Sequence, residues 1–256
     1  MNIRVLGAHN CESLDTRFVC LLIDGVLALD AGGLSSTLPF PAQLELKGVL
    51  LTHHHYDHIR DIPAEAMNFF LRGASINVCS TQAVYTALVS HLLNGKLYPK
   101  FTEFPAAKPA VNFTIIEPRQ PEQIAGYGVL AVPVNHSDHA VGYQVTSADG
   151  KAVFYTGDTG PGLAGCWESV SPDLIVIEVT APNRYEEWAA KSAHLTPGLL
   201  GRELAAFREL KGYLPPVVAV HMNPGLEKEI APELAAVAGE LDSPITLAYE
   251  GMQLEL

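Results

Sequence analysis

The sequence predicts an α+β fold, a four-layer αββα sandwich in which two β-sheets pack together with helices on their outer faces. Strand signals followed by helix signals occur in the first half of the chain and again in the second half. Short apolar runs bounded by turn residues give the first four strands, at Ile3–Gly7, Phe18–Ile23, Val26–Asp30 and Gly48–Thr52. The Asp24-Gly25 pair predicts a tight hairpin between the second and third strands.

The remainder of the first half predicts two helices that flank one strand. These elements are the helix Pro63–Leu71, the strand Ile76–Cys79 and the helix Thr81–Leu93. Asn94-Gly95 is a turn signal that ends the second helix. The turn-rich segment Asn94–Pro109 follows, and it predicts a loop or a cap near the functional site.

The second half restarts the strand pattern and adds two more helices. The predicted strands are Asn112–Ile116, Gly128–Val134, Val141–Thr146, Ala152–Thr156, Asp173–Val179 and Val217–His221. The predicted helices are Thr196–Leu210 and Glu227–Glu240. The last segment, Ile245–Leu256, predicts a closing strand pair around Glu250-Gly251.

Length and composition restrict the class of protein. A chain of 256 residues, 48% of them hydrophobic, is expected to form one domain over residues 1–256. A net charge of −12 with 16 Lys and Arg is poorly suited to binding a nucleic-acid polymer. The four cysteines form no C-x-x-C pair, and no signal-peptide or membrane-spanning run is present. We therefore expect a soluble cytoplasmic protein without a membrane partner.

Histidines concentrate in the run Thr52–His58, directly after a predicted strand. His53 and His55 are two residues apart, so in an extended segment both point to one side and could bind one ion. Asp57 and His58 follow where the chain turns toward a helix, and they could hold a second ion. Imidazole and carboxylate groups are ligands for Zn²⁺ and similar cations. The alternative interpretation is an exposed His-rich loop that binds no metal.

Three more ligand-type residues stand just past predicted strands, at His136, Asp158 and His221. Alone, each would more often be an ordinary polar residue at a strand end. Their repetition beside the His-rich run favours a common site, because strand ends hold side chains rigidly while the loops leave access.

This set of residues resembles the metallo-β-lactamase superfamily. The resemblance runs through nearly the whole chain and includes Leu6-Gly7-Ala8, Leu29-Asp30-Ala31-Gly32, Tyr155-Thr156-Gly157-Asp158-Thr159 and Tyr249-Glu250-Gly251. It implies the αββα fold and two divalent metal ions, with Zn²⁺ expected and Mn or Fe also suitable. It also implies one metal on His53, His55 and His136, the second on Asp57, His58 and His221, and Asp158 bridging the two.

The second half of the chain looks like the phosphodiesterase branch of that superfamily, which includes ribonuclease Z and class II cyclic-nucleotide phosphodiesterases. The similarity lies in Leu174–Thr180 followed by Ala193-His194-Leu195-Thr196-Pro197. It implies a hydrolase in which His194 assists at the phosphate, with Asp57 as the other residue expected to act in catalysis. The alternative for His194 is a surface residue at a helix start.

Charge and length then favour a small substrate. Ribonuclease Z commonly carries a basic arm for tRNA, and this acidic chain shows no such arm. We expect a small phosphodiester, above all a 3′,5′-cyclic nucleotide. The alternatives are a tRNA 3′ endonuclease, a lactone or thioester hydrolase, and a non-catalytic metal-binding module. The resemblance also makes a homodimer plausible.

The other aromatic and titratable residues near these motifs allow two interpretations. Trp167, Tyr185 and Trp188 could line a base-stacking wall, although packing in the core or on the surface is commoner. Asp61 could hold a metal-bound histidine, but we prefer a helix-start carboxylate. His9 could face the mouth of the site. His54 and His139 are expected beside ligands without being ligands, and His91 on a helix surface.

Overall fold

Two seven-stranded β-sheets form the centre of the computed structural model, which describes residues 1–256. The first sheet contains, in spatial order, β14 (Gln253–Glu255), β1 (Asn2–Gly7), β2 (Cys20–Ile23), β3 (Leu27–Leu29), β4 (Gly48–Leu50), β5 (Ile76–Ser80) and β6 (Val111–Ile115). The second sheet contains β13 (Ile245–Leu247), β12 (Val217–Val220), β11 (Leu174–Glu178), β10 (Ala152–Tyr155), β9 (Val141–Thr146), β8 (Tyr127–Pro133) and β7 (Pro121–Ile124).

Helices lie between the strands of both halves. Those of the first half are α1 (Leu34–Thr37), α2 (Phe40–Leu44), α3 (Tyr56–Ile59), α4 (Ile62–Phe70) and α5 (Gln82–Ala87), which a π-helical turn continues over Leu88–Leu92. Those of the second half are α6 (Ala164–Ser169), a 3₁₀ turn at Asn183–Tyr185, α7 (Glu186–Lys191), α8 (Pro197–Lys211) and α9 (Glu227–Leu241). None of them combines the length and the apolar character that a membrane span requires.

Alternation along β2 shows how the layers form. Leu21 and Ile23 belong to the large apolar cluster shared with the second sheet and with α8 and α9. Cys20 and Leu22 point to the other side, into a separate cluster with α1, α4 and α5. The sheets therefore pack on each other and carry helices outside, so the predicted αββα sandwich is confirmed.

The core also decides the position of one tryptophan. Trp167 on α6 is fully buried, and its ring packs edge-on against Phe154 and Phe207. It is a core residue, so it cannot belong to a base-stacking wall.

The predicted strand pair at the end of the chain is wrong. β13 pairs in parallel with β12 in the second sheet, whereas β14 pairs antiparallel with β1 in the first sheet. The chain crosses between the sheets through the turn at Tyr249–Gly251, where Gly251 has a φ of +88°. The turn predicted at Glu250-Gly251 is present, but an apolar run does not specify which other strand it pairs with.

The segment Asn94–Pro109 is not a cap on the site. Phe101 is fully buried in the outer cluster of the first sheet, where its ring lies 5.5 Å from that of Phe70 on α4. Phe104 packs on the same ring at 5.3 Å. These apolar contacts hold the segment on the outer helical layer.

Edge and connecting elements are the ones that apolar patterning did not predict. β7 has three exposed residues, Pro121, Glu122 and Gln123, and joins the edge of the second sheet only through β8. The helices α1, α2, α3, α6 and α7 have at most six residues each, too few for a helical period to stand out.

One buried carboxyl in the outer helical layer has no partner. Glu65 on α4 is 1% exposed, and neither of its carboxyl oxygens makes a hydrogen bond. Burial, reinforced by the nearby charge of Asp61, raises the pKa of Glu65 to about 8 from its usual 4.5. In the unfolded chain the Glu65 carboxyl loses its proton at a lower pH than in the folded protein. The contribution of Glu65 to the free energy of unfolding is therefore fully present below pH 4.5 and is lost as the pH rises to about 8.

Glu65→Gln should remove this pH-dependent loss, because glutamine stays neutral. We expect its free energy of unfolding to exceed that of the wild type by roughly 4 kcal/mol near pH 8, with little difference near pH 4.5. Urea unfolding at both pH values measures this, with the exposed Glu122→Gln as control. An equal difference between variant and wild type at the two pH values would contradict the assignment.

Candidate metal centre

The predicted ligands follow strands that end at one edge of the sandwich. In the second sheet, β8, β10, β11 and β12 run in the same direction, and the loops after β8, β10 and β12 carry His136, Asp158 and His221. In the first sheet, β4 leads into His53, and α3 carries Asp57 and His58. The structure brings all seven predicted ligand residues together at this edge.

The first group consists of His53, His55, His136 and Asp158, whose ligand atoms lie within 4.8 Å of one another. The Nε2 atoms of His53 and His136 lie 3.9 and 3.8 Å from Oδ2 of Asp158. The Nε2 atom of His136 is 3.1 Å from Nδ1 of His55. These four side chains surround a space that one cation can occupy.

The second group consists of Asp57, His58, Asp158 and His221, again within 4.8 Å. Oδ2 of Asp57 lies 3.5 Å from Nε2 of His58 and 3.3 Å from Nε2 of His221. The carboxylate of Asp158 approaches His58 through Oδ1 at 3.1 Å and His221 through Oδ2 at 3.3 Å. Asp158 belongs to both groups, so its position fits the bridging role that the resemblance implies.

The buried atoms of this cluster fit a cation. The Nε2 atom of His53 is buried without a hydrogen bond, and Nε2 of His58 and Oδ1 of Asp158, although 3.1 Å apart, meet hydrogen-bond geometry neither with each other nor with another group. Leaving three such atoms unsatisfied at one point is costly unless something binds them. Imidazole nitrogens and carboxylate oxygens together suit Zn²⁺, Mn²⁺ and Fe²⁺. The residues present therefore fit two divalent metals.

A buried carboxylate fixes the first-sheet side of the cluster. Asp30 is fully buried just after β3, and its Oδ2 accepts hydrogen bonds from Tyr155 Oη at 2.8 Å and from His58 Nδ1 at 2.7 Å. Its Oδ1 accepts from the backbone N–H of Thr52 at 2.8 Å. With Nδ1 of His58 donating to Asp30, its Nε2 lone pair is directed at the metal position.

A second buried carboxylate fixes the second-sheet side. Glu178 ends β11, and its Oε1 accepts from His194 Nδ1 at 2.6 Å, while its Oε2 accepts from Thr180 Oγ1 at 2.8 Å. The Thr180 oxygen lies 2.9 Å from Nδ1 of His221 and can accept from it. Glu178 also accepts from the backbone N–H groups of Thr159 and Leu195. Because all its lone pairs are used, Glu178 is a positioning residue for His194 and His221.

Sequence reasoning did not single out Asp30 and Glu178 as site residues. Each is a carboxylate that follows an apolar strand, in Leu27–Leu29 and in Leu174–Ile177, and each is fully buried. Acidic residues are almost never fully buried without a partner. A carboxylate directly after a strand expected to be buried was therefore the signal available in the sequence.

His194 lies beside the cluster, as predicted. Its ring is nearly parallel to that of His221, at 5.5 Å between centroids, and 4.9 Å from that of His136. Burial opposes protonation, but the carboxylate of Glu178 outweighs it and raises the pKa of His194 to about 9. His194 can therefore carry a proton on Nε2 while Nδ1 donates to Glu178. Its alternative as a surface residue does not fit this position.

Other residues considered from the sequence lie outside the cluster. His54, His91 and His139 line a separate groove, and none belongs to a ligand group. His9 is not exposed at the mouth of the site. It is 4% exposed and bonds Glu250 and Glu227.

Asp61 does not contact a ligand histidine. Its Oδ2 accepts from the backbone N–H of Ser35, and its Oδ1 lies 3.0 Å from Arg60 Nε. The carboxylate precedes the first residue of α4, which agrees with the helix-start interpretation.

Comparison of the sequence with models of protein families shows which family the chain belongs to. The profile of the beta-lactamase superfamily domain matches residues 20–222, which is most of the chain. The chain belongs to this family. A search of curated protein sequences gave no match.

Solved structures show that the fold is the metallo-β-lactamase fold. Yeast PDE1, in its unliganded form, superposes with a TM-score of 0.84 at 15% identity, covering 100% of this chain and 99% of its own. The metallo-β-lactamase fold protein YhfI from Bacillus subtilis gives 0.77 at 17% identity, covering 99% of each chain. The short form of human tRNase Z gives 0.68 at 16% identity, covering 100% and 99%. At such identities the likeness concerns the fold alone.

In this metallo-β-lactamase-fold protein, Asp158→Ala should lower occupancy at both metal positions, because its carboxylate touches both groups. His221→Ala should weaken mainly one position. Metal analysis after dialysis against Zn²⁺ measures the ions per chain, with the exposed Asp15→Ala as the control. Full occupancy in the Asp158 variant would contradict the bridging assignment.

Asp30→Asn should weaken metal binding although Asp30 touches no metal position. The amide cannot accept from His58, Thr52 and Tyr155 with the strength of a carboxylate, so the Nε2 atom of His58 loses its fixed direction. We expect metal affinity to fall about 10- to 100-fold, measured by competition with a chromogenic chelator. An unchanged affinity in a folded variant would show that Asp30 serves the core and not the site.

Proposed function

We propose that this protein is a metal-dependent phosphodiesterase that hydrolyses a small phosphodiester, above all a 3′,5′-cyclic nucleotide. The observation that carries the proposal is the His194–Glu178 pair beside a donor cluster for two cations. An acid at that position suits a reaction in which an alkoxide leaves and must gain a proton. The fold, which this chain shares with yeast PDE1, is compatible with this choice.

Two bound divalent cations would supply an activated water and neutralise the charge of the phosphate. The residues of the chain do the rest of the work. Asp57 directs Oδ2 toward His221 and keeps 26% of its side chain exposed, so it can contact a water entering the site. Its proposed part in catalysis is to orient that water while it holds a cation.

His194 would protonate the leaving oxygen. As the oxygen of the attacking water bonds to phosphorus, the P–O bond to the leaving group breaks and its electron pair stays on the leaving oxygen. That oxygen takes the proton from Nε2, and the proton released by the water restores His194. The hydrogen bond from Nδ1 to Glu178 stabilises the protonated ring before transfer and fixes the ring plane throughout. The ring lies 4.9 Å from that of His136 and 5.5 Å from that of His221, and this closeness to the cluster supports its contact with a phosphate bound there.

The surroundings of the site favour a small substrate. No Lys or Arg lines the pocket that adjoins the cluster beside His194. The net charge of −12 adds no attraction for a polyanion. A polymer such as tRNA needs basic contacts along its backbone, so a compact diester suits this surface better.

The purified protein, loaded with Zn²⁺ or Mn²⁺, should hydrolyse cyclic AMP, cyclic GMP or bis(p-nitrophenyl) phosphate. In His194→Ala, kcat for a cyclic nucleotide should fall about 10²- to 10⁴-fold, because no acid then protonates the leaving oxygen. Metal content should stay unchanged, since His194 is not a ligand in this proposal.

The histidine His91, on the π-helical turn, gives a matched control, and His91→Ala should leave kcat unchanged. Failure of the wild-type protein to cleave any of the three diesters would refute the phosphodiesterase proposal. Cleavage by His194→Ala at the wild-type rate would favour a lactone or thioester hydrolase, in which this residue has no essential part.

A further inference from the structure

A pocket of about 370 Å³ opens beside His194, on the second-sheet side of the metal centre. Two exposed aromatic side chains, Tyr185 and Trp188, belong to its wall. The lining residues are Asn10, Thr180, Ala181, Tyr185, Trp188, Asn223 and Leu226. Its volume lies in the range of small-molecule sites.

The pocket is continuous with the candidate catalytic centre. The indole of Trp188 is nearly parallel to the imidazole of His194, with 6.2 Å between centroids and 17° between planes. The imidazole of His194 is in turn nearly parallel to that of His221. Thr180, which bonds Glu178, lies in the pocket wall itself. A molecule bound at the metals can therefore extend a flat group into this pocket.

The polar side chains of the pocket are neutral, and two of them keep hydrogen-bonding groups that are unused. Oδ1 of Asn10 is buried and has no hydrogen-bond partner. Oδ1 of Asn223 accepts a hydrogen bond from the backbone N–H of Gly225, so its side-chain amide N–H groups remain to donate. Amides that offer both acceptor and donor beside an aromatic face suit a heterocycle with donors and acceptors on its edge.

Charge argues against a second phosphate in this place. None of the lining residues is charged. The guanidinium of Arg184 lies 4.1 Å from the centre of the Tyr185 ring, and it is paired with Glu229 by two hydrogen bonds. Arg184 therefore packs on the Tyr185 side of the pocket wall, and Glu229 compensates its charge.

We propose that this pocket binds the base of a nucleotide. The base stacks on Trp188, and the amides of Asn10 and Asn223 bond its edge while the phosphate lies at the metal centre. This assignment rests on the proposed phosphodiesterase function and specifies its substrate class. Diesters of nucleosides are preferred over base-free diesters such as those of glycerol.

Tryptophan fluorescence can report binding directly. The chain has two tryptophans, of which Trp167 is fully buried and Trp188 is 52% exposed. Titration of the Zn²⁺-loaded protein with 5′-AMP should quench the Trp188 emission saturably. Ribose 5-phosphate, which has the same phosphate and sugar without the base, should bind about 10-fold more weakly or worse.

Calorimetry on variants tests the pocket independently of fluorescence. Trp188→Ala should weaken 5′-AMP binding about 10-fold and leave ribose 5-phosphate unchanged, whereas Trp188→Phe should keep most of the affinity. Asn10→Ala should weaken the binding of 5′-AMP several-fold. The substitution breaks no hydrogen bond within the protein that Oδ1 makes, because this atom has no partner there. Phe40→Ala is the matched control, because Phe40 has the same 52% exposure and lies on α2, away from the pocket.

Equal binding of 5′-AMP and ribose 5-phosphate, no binding of 5′-AMP, or an unchanged affinity in folded Trp188→Ala and Asn10→Ala would overturn the assignment. The two proposals fail separately. If bis(p-nitrophenyl) phosphate is cleaved without base-dependent binding, the pocket assignment alone is wrong. If no diester is cleaved but 5′-AMP binding depends on Trp188, the base site stands and hydrolysis is wrong.

Discussion

Two carboxylates without a lysine or arginine partner, Asp30 and Glu178, are fully buried at strand ends in opposite sheets. A buried carboxylate is stable only if donors surround it, and here the donors include the functional side chains themselves. Asp30 fixes His58, while Glu178 fixes His194 directly and His221 through Thr180. The directions of the His58, His194 and His221 imidazoles therefore follow from satisfying these two charges.

The donor cluster also joins the two sheets. His53 and His58 come from the first sheet's edge, and Asp158 and His221 come from the second. Cations bound between them would link the sheets at this edge, and the native state would gain the binding free energy. Catalysis and stability would then depend on the same packing, since a small shift of one sheet against the other changes both groups at once.

Patterning predicted the central strands and the two long helices because their apolar faces are buried and long enough to show a period. It failed where tertiary contacts decide. β13 and β14 are sequence neighbours that join different sheets, and β7 is an exposed edge strand held by β8 alone. Segment Asn94–Pro109 looked like a loop near the site, but Phe101 attaches it to the outer helices.

The sequence by itself predicted the fold class and the donor set, because alternation and strand-end position are local properties of the chain, whereas the place of His194 came from the family resemblance. Only the tertiary structure showed that Glu178 binds His194, and that Trp188 borders a pocket while Trp167 is core. Those facts depend on which side chains meet from distant parts of the chain. Local spacing does not encode such meetings, since they arise when the two sheets pack.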